Sequence, residues 1–152
     1  MFELRKRPSD SSIVRQQLDE EQYRYNRKFY ADYQTQAMKC LTDLKEYIDL
    51  KRRAGVKVIG YGAAAKGMTV INAGMIKLDY IIDDNPLKQG LYSPGMSTPV
   101  VPISKLDDYA DVRVAFVPLA WNFFTEIRKN IKNKRDREGD VFIKYFPTIS
   151  IE

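Results

Sequence analysis

Between Ser9 and Arg53 the chain has no glycine or proline, and Phe29, Tyr33, Ala37, Leu41, Leu44 and Ile48 recur at intervals of three and four residues. Residues so spaced share one face of a helix, so the pattern predicts an apolar stripe on a long helical arm. Ser9, Asp10, Ser11 or Ser12, just after Pro8, each offers an N-cap, and the stop falls near Gly55. Asn26 marks an expected break between a short first helix and a longer second one. The tyrosines Tyr23, Tyr25, Tyr30, Tyr33 and Tyr47 read as half-buried packing residues, with stacking on a base as the alternative.

Beyond Gly55 short apolar runs alternate with helical segments. "VKVIGY", "LDYIIDD", "TPVVP", "DVRVAFVPL" and "DVFIKYF" read as strands. Between them "AKGMTVINAGM" and "FFTEIRKNIKNKRD" read as helices and "ISKLDDY" as a helical turn. Such alternation predicts an α/β domain with a Rossmann-like, doubly wound, mainly parallel five-stranded sheet, its first strand central. The expected division is a helical arm or linker over residues 1–54 and a Rossmann-like domain over residues 55–152.

Composition narrows the chemistry. A chain of 152 residues fits one core and is too short for two full nucleotide-binding folds. It has no histidine and a single cysteine, Cys40, which removes the commonest general base, an internal disulfide and any multi-cysteine zinc site. No metal ligands and no catalytic residues are therefore assigned. The net charge of +5 comes from "LRKRP", "LKRRAG" and "RKNIKNKRDR", clusters mixed with acids that read as solvated helix faces. Without a nucleic-acid signature they support at most a small anionic ligand. No apolar run is long enough to span a bilayer, and "MFELRKRPSDSS" has no apolar segment of the kind a signal peptide needs, so a cytoplasmic protein without nucleic-acid or membrane partners is expected.

The stretch "GYGAAAKG" is the best candidate site. Gly60, Gly62 and Ala65 satisfy G-x-G-x-x-[G/A] after a strand and before a helix, an arrangement that aims backbone N–H groups and a helix N-terminus at an anion. Gly60 is expected to permit the tight turn, Gly62 to let a ligand approach, and Ala63, Ala64 and Ala65 to keep the helix close to the sheet. Tyr61 lies within the loop, Lys66 adds a charge one turn into the helix, and Gly67 closes the run. A small-residue turn that only packs helix on strand is the competing reading. Asp83 follows Gly62 by about 20 residues, where dinucleotide-binding folds place an acid on a ribose hydroxyl. Asp84 and Asn85 extend that polar tip, and an ordinary Asx turn closed by proline explains "DDNP" equally well. Trp121 reads as a lid over a base or sugar or as a core plug, and Asn122 as a helix cap or a ligand contact.

Three longer motifs, "GYGAAAKGMTVIN", "DYIIDDNPLKQGLYSPGMSTPV" and "PLAWNFFTEI", occur in order and spacing that resemble the C-terminal domain of the S-adenosylmethionine-dependent (deoxy)sugar C-methyltransferase family. The resemblance runs from about Pro8 to "FIKYFPTI". It implies a Rossmann-like domain that helps hold a nucleotide-linked deoxysugar, dTDP-linked by the family's pattern. It also implies a preceding domain for the methyl donor and an N-terminal zinc module. On this resemblance the Gly60 to Gly67 loop, Asp83, Asn85, Trp121 and Asn122 have ligand roles, and Lys88 and Gln89 in "DDNPLKQG" help cover the sugar.

The departures are as informative. The chain shows no donor-binding glycine motif, no zinc cysteines, and none of the Glu-His and Tyr groups the resemblance would assign to deprotonating the sugar carbon; Met68 stands where a polar residue is expected. The expected domain binds no cofactor by itself and does not catalyse alone, the S-adenosylmethionine belonging to a parent polypeptide or a separate catalytic chain. An NAD-binding redox or sensor module, and a structural domain that forms homo-oligomers through the arm, are the rival readings.

Overall fold

The computed structural model describes residues 11–152, so the caps expected at Ser9 and Asp10 lie outside the described residues. Helix α1 spans Ser11–Arg24 and α2 spans Arg27–Arg53. The break at Asn26 forms as expected. Its Oδ1 accepts the Phe29 N–H at 3.0 Å while its Nδ2 donates to the Tyr23 carbonyl at 3.1 Å, so one side chain caps α2 and satisfies a carbonyl at the end of α1.

The chain separates into two compact units, the residues up to Met38 and Lys39–Glu152. In the first, every residue over 12–38 is exposed. In the second, the rest of α2 supplies Leu44 and Ile48 to the core. The stripe read from Phe29 to Ile48 is thus buried only at its C-terminal end, with Phe29 and Tyr33 exposed.

The second unit is an α/β body. Strands β1 (Lys57–Tyr61), β2 (Tyr80–Ile82), β3 (Val100–Val101), β4 (Val114–Pro118), β5 (Val141–Lys144) and β6 (Ser150–Ile151) make one sheet in the order β3-β2-β1-β4-β5-β6. All neighbours are parallel except β5 and β6. Helices α3 (Ala65–Ala73) and α4 (Phe124–Lys134) and 3-10 segments at Ile103–Tyr109 and Trp121–Phe123 fill the connections. The expectation of five strands is corrected to six. The extra strand is two exposed residues, with Glu152 just beyond it exchanging backbone hydrogen bonds with Phe142 at 2.8 and 3.0 Å. It has no apolar run to announce it.

Side chains alternate across the sheet as the pleat requires. Val58, Ile81, Ala115, Val117 and Ile143 pack with Leu44, Ile48 and Ile71 from α2 and α3. Ile59, Tyr61, Ile82, Val114, Phe116 and Phe142 pack with Phe124, Ile127 and Ile131 from α4. At the end of α4, Arg135 forms a buried ion pair with Asp140 at 2.6 Å and also donates to the carbonyls of Tyr109 and Val112. Asp140 in turn accepts the Val114 N–H at 2.9 Å, which ties the entries to β4 and β5 together. Among the described residues, no helix is long and apolar enough to cross a membrane.

Candidate functional site

The glycine loop joins β1 to α3, and its three glycines divide their labour differently from the expectation. Gly60 lies inside β1, opposite Ile81 and Val117, and a Cβ there would stand 2.9 Å from Leu78 Cδ1 and 3.0 Å from Leu119 Cδ1. It packs the sheet and does not make the turn. Gly62 makes it, with φ +88°, a left-handed conformation that side-chain-bearing residues rarely adopt. Close approach of helix to strand is the work of Gly67, where a Cβ would lie 2.5 Å from Leu119 Cβ. The alanines are less buried: Ala63 and Ala64 are partly exposed and Ala65 is exposed.

Helix α3 begins with Ala64 as N-cap, without a side-chain cap or an acid in its first turn. Its first N–H groups, which like those of any helix lack an intrahelical acceptor, therefore gain no acceptor from a capping side chain and present partial positive charge, with the exposed Lys66 beside them. Lys66 Nζ lies 5.5 Å from the centre of the Trp121 ring, and that ring packs on Phe146 with centroids 4.4 Å apart.

Asp83, at the end of β2, is nearly buried and fastens this loop. One carboxylate oxygen accepts the Ala63 N–H at 2.7 Å and Lys88 Nζ at 2.9 Å, and the other accepts the Asn85 N–H at 2.9 Å. Lys88 also donates to the Ala63 carbonyl at 3.0 Å, and Gln89 Nε2 donates to the Asp83 carbonyl at 2.9 Å. Asn85 accepts the Leu87 N–H at 3.0 Å, so "DDNP" is built from successive Asx turns. Burial by itself would raise the Asp83 pKa; the Lys88 hydrogen bond, the two backbone N–H groups and the Lys88 charge outweigh it and hold the carboxyl below its ordinary value. Asp83, Lys88 and Gln89 thus knit the two loops together within the chain.

The strand order reverses at β1, since β2 and β3 extend to one side and β4 and β5 to the other. Ligands of open α/β sheets sit at such a point. A cleft of about 280 Å³ opens there, lined by Tyr61, Gly62 and Asp83 and by Asp84, Phe123, Glu126 and Asn130. The Tyr61 hydroxyl donates to the Asp84 carboxylate, with both oxygens at 2.8 Å. Burial, then the Asp84 hydrogen bond, pushes the Tyr61 pKa well above its ordinary value, so the phenol stays protonated and keeps Asp84 oriented. No lysine or arginine lines the cleft. Its carboxylates and amide suit hydroxyl donors, while the cationic features lie along α3.

Trp121 and Asn122 do not line this cleft. Trp121 packs partly buried against the core cluster shared with α3, and Asn122 is exposed. Helix α4 has Phe123 as its N-cap and no side-chain cap, so the capping alternative for Asn122 is not realised. Phe123, Glu126 and Asn130 were not singled out from sequence. Their spacing of three and four along α4 places them on one face, a signal shared by any solvated helix face.

The body is a mixed α/β domain with a mostly parallel sheet and a preformed glycine loop at the point where strand order reverses. Residues 3–147 match the family model of the C-methyltransferase C-terminal domain, and the chain belongs to that family. No curated protein matches the chain.

Proposed function

We propose that this chain is the nucleotide-sugar-binding, Rossmann-like C-terminal domain of an S-adenosylmethionine-dependent sugar C-methyltransferase, working in the cytoplasm with a donor-binding module on a separate chain or parent polypeptide. Family membership sets the context. The observation that carries the reading is the adjacency of two unlike surfaces on either side of Gly62: the uncapped start of α3 with Lys66, and the cleft with Asp84, Glu126 and Asn130. The first suits a diphosphate and the second suits the hydroxyls of the attached sugar or ribose. The assigned contacts are the Gly60 to Gly67 backbone and Lys66 for the diphosphate, with Asp83, Asn85, Lys88 and Gln89 shaping the wall and Trp121 and Asn122 flanking it. Methyl transfer needs a positioned base for the proton next to the sugar carbonyl, and this domain is proposed to be inactive alone.

Calorimetry with a thymidine diphosphate sugar and with NAD tests the reading. The sugar nucleotide is expected to bind at micromolar to millimolar affinity, on the order of what a lone domain supplies. Tighter binding of NAD than of every sugar nucleotide overturns the proposal in favour of a redox module, and binding of neither leaves a structural domain.

A further inference from the structure

We infer that the end of α4 and the turn after it hold a single tetrahedral oxyanion of phosphate size, in a second site apart from the glycine loop. A cavity of about 80 Å³ lies where α4 meets β5 and the residue beyond β6, lined by the four cations Arg128, Lys132, Arg135 and Arg137 and by three carboxylates. That is the room of roughly two or three waters or of one such anion, and too little for a nucleotide. The cavity adjoins the entry to β5, at the opposite end of the parallel strands from the cleft beside Gly62.

The carboxylates are already matched. Asp140 pairs with Arg135 at 2.6 Å, Glu152 with Arg128 at 3.3 Å and Asp136 with Lys132 at 3.3 Å. Arg137 is the fourth cation, half-buried and without an ion pair among the described residues, so the lining carries one positive charge in excess. Unpaired donors fall in the same place. Arg128 Nε and Arg137 Nη1 are, among the described residues, the two buried side-chain polar atoms with no hydrogen-bond partner, and both belong to residues that line this cavity. Buried donors on charged groups are normally satisfied, and a water that accepted both would leave the charge uncompensated. An oxyanion supplies several acceptor lone pairs together with the missing negative charge, and the planar guanidinium fork matches its geometry. Arg128 is already held for this role, its guanidinium carbon 5.6 Å from the centre of the Phe142 ring. Within "RKNIKNKRDR", which reads as a solvated helix face, these two arginines are the exceptions.

Titration of the whole chain with inorganic phosphate, followed through the NMR signal of the Arg128 Nε–H, tests this. A saturable one-site shift is expected, with a dissociation constant on the order of millimolar, and sodium chloride at equal ionic strength should not reproduce it. Arg137→Gln breaks no ion pair and is expected to weaken the response at least about tenfold; Arg137→Lys, which keeps the charge without the fork, should fall between. Lys66→Ala should leave the response unchanged, which separates this site from the glycine loop. Thymidine monophosphate, too large for the cavity, is expected to bind there at least about tenfold more weakly than phosphate. Circular dichroism and melting show that each variant is folded. No shift, a shift that chloride reproduces, one that persists at full strength in both Arg137 variants, or one lost in Lys66→Ala overturns the inference, and equal binding of the monophosphate overturns the choice of a free anion.

Discussion

A methyl group placed on Gly67 would stand 2.5 Å from the Cβ of Leu119 and 3.3 Å from its Cα. Rotation of a side chain cannot relieve that overlap, since the opposing atoms are fixed to the end of β4. Gly67→Ala is therefore expected to destabilise the body by about 1–3 kcal/mol, despite the better helix propensity of alanine. Denaturant unfolding checks it; a variant as stable as the parent would show that α3 slides freely over β4.

Asp83→Asn keeps the shape and replaces an acceptor with a donor. Whichever way the amide turns, an N–H faces either the Ala63 N–H and Lys88 or the Asn85 N–H. The expected loss is about 1–3 kcal/mol. Faster hydrogen exchange at Ala63 and Asn85 than in the parent would locate the damage in the loop.

The same carboxyl gives a pH signature. Its folded pKa lies below the unfolded value of about 3.9, so its contribution is complete above that pH and is lost as the pH falls through the folded pKa. The stability gap between the parent and Asp83→Asn should be constant near neutrality and narrow below about pH 4. Denaturation midpoints measured across that range check the sign, and a gap that widens in acid contradicts it.

Arg135→Ala leaves Asp140 buried without its counter-ion and also strips donors from the Tyr109 and Val112 carbonyls. Breaking a buried pair on one side typically costs about 3–5 kcal/mol, enough to threaten the whole body. Thermal melting should show it, and Asp140→Asn should recover part of the loss in the Arg135→Ala background. No recovery would mean that the lost carbonyl contacts dominate.

Lys66 and Trp121 provide a readout for the ligand. Lys66 Nζ lies 5.5 Å from the Trp121 ring centre, so the proposed diphosphate at the start of α3 would draw the ammonium away from the indole and is expected to change Trp121 emission. Lys66→Ala is expected to abolish that change and weaken binding by about 1–3 kcal/mol, leaving the dichroism spectrum intact. Lys66 is a cleaner probe than Gly62, where the positive φ strains any side chain and confuses lost binding with lost folding. An emission change that survives in Lys66→Ala would separate the ligand from this lysine.

The parts of the fold written in local pattern were legible. Alternating apolar runs located β1 to β5, and Asn26 marked the helix break with a side chain whose capping chemistry is local. The roles within "GYGAAAKG" were not legible, because Gly60, Gly62 and Gly67 differ in what surrounds them and not in what they are. Only the register of β1 against β2 and β4 shows that Gly60 belongs to the sheet. Likewise "DDNP" supported a ribose contact and an Asx turn alike, and the count of hydrogen-bond donors around Asp83 comes from Lys88 and Ala63 meeting there in space. The cleft residues Glu126 and Asn130 lie on a helix whose exposed face carries many polar groups; nothing but the position of Tyr61 and Asp84 marks them out.

If the proposed ligand binds at the glycine loop, Asp83 also bears on how fast it would be captured. Its carboxylate, with Lys88 and Gln89, holds the glycine loop in its turned form before anything arrives. A receptor already in its bound shape loses little chain entropy on association and has no slow rearrangement after encounter. Stopped-flow traces should then be single exponentials whose rate rises linearly with ligand concentration, with affinity differences among sugar nucleotides residing in how slowly each one leaves.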